Sequence, residues 1–265
     1  MINRKTKRWW NVKEWAPHIL TFVVIIALWE GVVRGLNVSN AIFPTATDTF
    51  ASLINFFKST ESLIHIWATL SETLLGFLIG GATGAILGIL IAEIPSIKKL
   101  VFPFVLAFNS IPKMAMAPLF LVWFGYGISS KVAIVVVTSF FPVLINMMVG
   151  LNNIDKSQIK LLQAYSASSW QIFRRVKLPG SLPYLFAGLE IAIVFSVIGA
   201  IVSELVGANK GLGYLMLFYN SQFKVAEMFS VLVVMSIMGY LLVLCIQIIA
   251  GKVVFWQGKS SRKSE

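Results

Sequence analysis

The sequence predicts an all-α fold, a polytopic membrane helical bundle with six transmembrane helices, and three observations predict it. Hydrophobic residues make up 57% of the 265 positions, charged residues only 12%, and the mean hydropathy is +0.83. A water-soluble domain cannot clothe its surface with so little polar material. Several apolar runs reach or approach the roughly 20 residues that a bilayer-spanning helix needs. The net charge of +11 is carried by basic residues at the ends of those runs, a distribution that marks membrane orientation rather than nucleic-acid binding.

In chain order the spans are expected at 18–33, 67–92, 100–124, 132–151, 182–206 and 228–250. The first follows "MINRKTKRWW", which imitates a secretory signal. Gly-Leu-Asn follows the apolar run where a small-residue cleavage site would stand, so a retained span is expected. Next, "PTATDTFASLINFFKST" places Phe50, Leu53, Ile54 and Phe57 on one helical face. Such a helix either lies along the outer membrane surface or packs on the bundle. In the second span Gly76, Gly80, Gly84 and Gly88 recur every four residues, and in the fifth Gly188, Ala192, Ser196 and Ala200 do the same. Small residues at this spacing let helix backbones approach closely, within one chain or between chains.

An even number of spans puts both termini on one side. With the N-terminus inside, cytoplasmic segments collect sixteen Lys and Arg, whereas the opposite side collects only Arg34, Lys58, Lys131, Lys210 and Lys224. That asymmetry fits the positive-inside rule and predicts a multi-pass membrane protein with both termini cytoplasmic. No internal repeat is legible, and residues 1–265 read as a single transmembrane domain. The lone Cys245 excludes an intrachain disulfide.

Polar residues inside spans are costly and mark function by default. Glu30 and Glu72 lie near span ends, where carboxylates snorkel or pair. Asn109 and Lys113 stand in "NSIPKMAMAPL", where Pro112 and Pro118 interrupt the third span. A broken helix exposes backbone groups that only protein or water can satisfy, so it tends to line a cavity; equally, Lys113 could pair with an acid such as Glu190. Glu190 and Glu204 differ by roughly 40° around one helix and roughly 21 Å along it, so both can face one interior. That places Glu204 near the outer mouth, beside Asn209 and Lys210.

The connection at 152–181 carries a basic island, "QAYSASSWQIFRRVKLPGSLP". A helix is expected from Asp155 or Ser157, either of which can cap it, to about Val176, where "KLPG" stops it. Ile159, Leu162, Tyr165 and Trp170 supply its apolar contacts, while Lys160, Arg174, Arg175 and Lys177 stay wet. Such an element suits docking against another protein, or resting on lipid headgroups.

"SASSWQIFRRVKLPGSLP" resembles the cytoplasmic loop signature of binding-protein-dependent ABC importer permeases, a Glu-Ala-Ala-x-x-x-Gly start followed about ten residues later by Ile-x-Leu-Pro. Counting back from Val176-Lys177-Leu178-Pro179 places the Gly position at Ser166 and the Glu-Ala-Ala start at Lys160-Leu161-Leu162, a departure at both ends. "PLFLVWFGYGISSK", "SELVGANKGLGYL" and "IFPTATDTF" are similar to further stretches of the taurine, nitrate and sulfonate branch, in the right order. The resemblance implies a type I ABC importer permease fold, with the loop as a coupling helix seated in a cytoplasmic ATPase. It carries that role to Ala164, Tyr165, Ser166, Ala167, Ser168, Trp170, Phe173, Leu178 and Pro179. It also implies that the third and fifth spans border the translocation path, which makes Asn109, Lys113, Glu190 and Glu204 candidates for path or gate.

The implied partners are two copies of an ABC ATPase, an extracytoplasmic substrate-binding protein, a second copy of the chain and the lipid membrane. The chain contains no G-x-x-x-x-G-K-[ST] phosphate loop, so ATP and Mg are expected on the ATPase and no cofactor on this chain. His18 and His65 stand apart in sequence and suggest no metal cluster. A self-sufficient channel or secondary transporter is the rival class, and it has no use for a docking loop. A membrane enzyme lacks a nucleophile–base or metal constellation. For substrate, "SIPKMAMAPL" looks slightly more like the pyrimidine-precursor and riboflavin type than the nitrate type.

Overall fold

The computed structural model describes residues 12–256. Arg4, Lys5, Lys7, Arg8, Lys259, Arg262 and Lys263 of the charge pattern therefore lie outside the described residues. Every regular element among the described residues is helical. The chain divides into two units, one taking the chain up to Ser59 with Tyr219–Val233, the other taking Thr60–Phe218 and the chain from Val234 on. Five helices are long and apolar enough to cross a membrane, and a sixth span arises if one sharply bent pair counts as one.

In the first unit, helix α1 (Val12–Gly35) leads to α2 (Ala46–Lys58). Thr45 starts α2 because its hydroxyl accepts from the Asp48 amide at 3.1 Å and donates to the Asp48 carboxylate at 2.7 Å, relieving an amide that has no intrahelical partner. Glu30 pairs with Arg34 at 2.6 Å and accepts from the Thr47 amide at 3.1 Å, which ties the end of α1 to the start of α2. Trp29, Phe43 and Phe229 pack ring against ring, and the Trp29 indole donates to the Pro44 carbonyl at 3.0 Å. Phe50, Ile54 and Phe57 of α2 are exposed while Ala46, Thr49 and Phe56 are buried, so the helix is amphipathic as its spacing predicted.

The second unit is organised around α6 (Ile128–Asn152), the most buried of the candidate spans. One side of α6 meets α3 (Thr60–Glu93) along its glycine stripe. A Cβ on Gly80 would stand 2.6 Å from the Val136 carbonyl, on Gly84 2.6 Å from that of Phe140, and on Gly88 2.9 Å from that of Leu144. The Ser139 hydroxyl crosses the seam to the Gly76 carbonyl at 3.3 Å. The other side meets α9 (Leu178–Gly207), where a Cβ on Gly188 would stand 3.0 Å from the Pro142 carbonyl and where Ala192, Ser196 and Ala200 are fully buried. Both small-residue stripes therefore serve packing within the chain, against one central helix. Lipid tails are as apolar as the side chains, so close van der Waals contact must supply the adhesion that hydrophobicity cannot.

The third span is a broken one. Helix α4 (Pro95–Asn109) ends, one 3₁₀ turn covers Lys113–Met116, and α5 (Ala117–Phe124) leaves at 81°. Pro112 has no N–H to continue the ladder and disfavours the helical conformation at Ile111. Pro118 is harmless because it sits in the first turn of α5, where its missing N–H has no partner to lose. After α9 the chain turns at Gly211 into α10 (Leu212–Ser221), and α11 (Val225–Val253) is the last long apolar helix.

Candidate functional site

The connection after α6 departs from the single helix expected. It contains α7 (Lys156–Ala164), a sharp turn, and then α8 (Ser169–Ile172), which runs on through a π-helical turn at Phe173–Lys177 into α9. Asp155 caps α7, accepting from the Ser157 amide at 2.8 Å. At its other end Ser166 adopts φ +59°, and the amides of Ser166 and Ala167 return to the carbonyls of Gln163 and Leu162 at 2.9 and 3.0 Å. That is a Schellman stop with serine in the left-handed position that glycine usually fills. Ser168 then opens α8 with a reciprocal capping box, its amide donating to Gln171 Oε1 at 2.8 Å and its hydroxyl accepting from the Gln171 amide.

"KLPG" does not end a helix. The Leu178 amide reaches back five residues to the Phe173 carbonyl, and this wider turn absorbs the backbone disturbance of Pro179 while the helix continues. Lys177 does not stay wet either. Its ammonium bonds both carboxylate oxygens of Glu93, at 2.7 and 2.9 Å, and so fastens the π turn to the end of α3. Of the expected contact residues, Ile159 and Leu162 are half-buried, whereas Tyr165 is 78% exposed and Trp170 66% exposed. Trp170 stacks on Phe173 at 5.6 Å. Ala164, Ser166 and Ser168 are exposed beside them, while Ala167, Leu178 and Pro179 are half-buried. The result is a capped element that presents the exposed Tyr165, Trp170, Arg174 and Arg175, left uncovered by the other described residues.

A cavity of about 540 Å³ opens at the break of the third span, lined by Asn109 and Lys113 from the break, Thr138 and Asn146 from α6, and Ile191 and Phe195 from α9. The Lys113 ammonium donates to the Asn109 backbone oxygen at 2.7 Å and to its side-chain oxygen at 3.0 Å, and lies 4.9 Å from the Phe141 ring centre. Pairing of Lys113 with Glu190 is not what forms. Glu190 accepts from Gln247 Nε2 at 3.3 Å and lines a second cavity that shares only Ile191 and Phe195 with the first. Thr138 and Asn146 were missed from the sequence, although polar residues in the middle of an apolar span were the available signal.

Glu204 lies in neither cavity. It is 1% exposed, accepts from the Thr69 hydroxyl at 2.6 Å and from the Gly213 amide at 2.6 Å, and is covered by the turn at Gly211, whose φ is +117°. Thr69 in turn accepts from the Leu212 amide at 2.8 Å, and His65 Nδ1 accepts from the Gly211 amide at 3.1 Å. Glu72 lies close enough to act on Glu204 electrostatically and is itself paired with Lys131 at 2.8 Å, both side chains being buried. Lys131, counted above with the outer loops, is thus an interior partner, and Glu190 and Glu204 do not share an interior. The fourteen-residue spacing told their helical angle but not that the chain folds back over one of them at Gly211.

Residues 84–255 match the family described as binding-protein-dependent transport system inner membrane component. The chain is 33% identical to the formylaminopyrimidine transport permease ThiX of Halalkalibacterium halodurans, over 84% of this chain and 88% of that one. It is 27% identical to the aliphatic sulfonates transport permease SsuC of Bacillus subtilis, over 92% of this chain and 88% of that one. Among solved structures it resembles an inward-facing conformation of the MetNI methionine ABC transporter, with a TM-score of 0.63 and 25% identity over 71% of this chain and 94% of that one. The chain therefore belongs to the binding-protein-dependent inner membrane components and is a transmembrane permease subunit of an ATP-binding-cassette importer.

Proposed function

We propose that residues 1–265 act as one transmembrane domain that pairs with a second copy of itself and is driven through the coupling loop at about 152–181 by two cytoplasmic ATPase subunits carrying ATP and Mg. An extracytoplasmic binding protein delivers the solute, both termini are cytoplasmic, and the chain does no covalent chemistry. ATP-driven closure of the ATPases pulls the two coupling elements together and biases the permease between inward- and outward-facing states. The observation that carries this reading is the exposed Trp170, stacked on the half-buried Phe173, on a doubly capped element. Exposed aromatics held rigid beside Arg174 and Arg175 are the composition of a protein-docking hot spot.

The half-open cavity at Asn109 and Lys113 is this subunit's share of the path. The Glu204 latch, which holds the turn into α10 against α3, belongs to the outer gate. The solute is small and organic or anionic. Relatives whose names specify sulfonates and formylaminopyrimidine support both a sulfonate, taurine or nitrate type and a thiamine-precursor pyrimidine.

Ala167→Asp tests the docking element. The half-buried Ala167 stands between the Schellman stop and the capping box, so an aspartate there enters the docking face and costs about 3–5 kcal/mol without a partner charge. The permease should insert normally and lose its ATPase on purification. Assembly at the wild-type level, with solute-stimulated hydrolysis retained, places the docking surface elsewhere.

A further inference from the structure

We propose that the cavity at the break of the third span receives the anionic group of a small organic carboxylate or sulfonate, with Lys113 as its charge partner. This rests on the reading of that cavity as path and narrows the class of solute. The ion pairs among the described residues are Glu30 with Arg34, Glu72 with Lys131 and Glu93 with Lys177, and none of them involves Lys113. Its ammonium has three N–H donors, of which two go to the two oxygens of Asn109. Neutral oxygens and the Phe141 ring orient the charge without cancelling it. A half-buried cation with no carboxylate beside it among the described residues attracts an anion that enters the cavity.

The other polar groups around the cavity offer both donors and acceptors, so the charge preference rests on Lys113 and the amides can add donors to it. An ammonium only donates, so the side-chain atom of Asn109 that it meets is the oxygen, and the Asn109 NH₂ group is the end without an acceptor among the described residues. Asn146 spends one N–H on the Pro142 carbonyl at 2.8 Å and keeps a second. Thr138 spends its proton on the Val135 carbonyl at 3.0 Å. The remaining side-chain donors are thus one ammonium N–H and the amide N–H groups of Asn109 and Asn146. The rest of the lining is apolar, with Met114, Ile145, Ile191 and Phe195. A cation is repelled here, a neutral solute leaves the charge unanswered, and a hydrated inorganic anion makes no use of the apolar walls. An oxyanion on an apolar body satisfies both, and about 540 Å³ accommodates it.

The test places a thiol beside Lys113, as Met114→Cys with Cys245→Ser, in the intact permease complex in membranes. Reaction rates are measured with an anionic reagent, sulfonatoethyl methanethiosulfonate, and a cationic one, trimethylammonioethyl methanethiosulfonate, each relative to a free thiol in solution. With Lys113 present the anionic reagent should be favoured about tenfold, a preference that Lys113→Gln abolishes and Lys113→Arg keeps. Millimolar benzenesulfonate should slow labelling, whereas the neutral benzenesulfonamide should not. Labelling by both reagents without charge preference, or equal protection by the sulfonamide, overturns the anion site and leaves the path reading standing. Labelling by neither overturns both. If Lys113→Gln does not assemble, the charge preference of the Lys113 protein and the paired protection experiment decide.

Discussion

Glu204 shows how a single side chain can organise a turn. Its two oxygens each meet a donor from a different segment, Thr69 on α3 and Gly213 at the start of α10, and a Cβ on Gly211 would collide with its carboxylate. Replacement by leucine leaves the Gly213 amide unanswered in a buried place, at a cost of about 1–3 kcal/mol, whereas glutamine keeps one acceptor. Melting temperature should therefore fall in the order wild type, Glu204→Gln, Glu204→Leu. As a gate element, Glu204→Gln should stay assembled while the binding protein no longer stimulates hydrolysis. A lower melting temperature with normal stimulated hydrolysis would confine the residue to bracing, and a mutant normal in both respects would remove it from the gate.

Among the elements, the loop between α7 and α8 is the most informative, because a departure from the family signature coincides with a backbone requirement. Ser166 stands where the signature has glycine, and its φ of +59° falls in the region where a Cβ costs about 1–2 kcal/mol. The hydrogen bonds of the Schellman stop and the capping box hold it there. Ser166→Gly should raise the stability of the solubilised permease by about 1 kcal/mol, and Ser166→Val should lower it by at least as much. Thermal melts of the two variants check this, and an unchanged melt for both would show that the turn bears no strain. The same loop explains why Pro179 was misread: a proline ends a regular α-helix, but a π turn just before it spares the ladder, and nothing in "KLPG" announces that turn.

For the whole molecule the open question is which end of the bundle faces the cytoplasm. Charge asymmetry answers with the 152–181 connection inside and the turn at Lys210 outside. In a Cys245→Ser background, Lys160→Cys should resist an impermeant thiol reagent in intact cells and react after permeabilisation, whereas Lys210→Cys should react in both. Labelling at 160 from outside would overturn the orientation and the coupling role together.

The family was legible only as a resemblance, in stretches such as "SASSWQIFRRVKLPGSLP". Hydropathy, the charge pattern and the prolines were enough to determine the helical class, the number and approximate limits of the spans, and the break at Pro112. These are sums over neighbours in the chain, and a bilayer makes them decisive because every backbone polar group in it must be paired within a helix. Only the tertiary structure decided that both small-residue stripes meet α6, that Lys177 belongs to Glu93 and Lys131 to Glu72, that Lys113 meets no carboxylate among the described residues, and that Glu204 is sealed beneath a returning turn. Thr69 and Glu204 are 135 residues apart. Which partner a buried charge finds depends on which helix packs beside which, and that is settled by close contact in three dimensions rather than by any spacing along the chain.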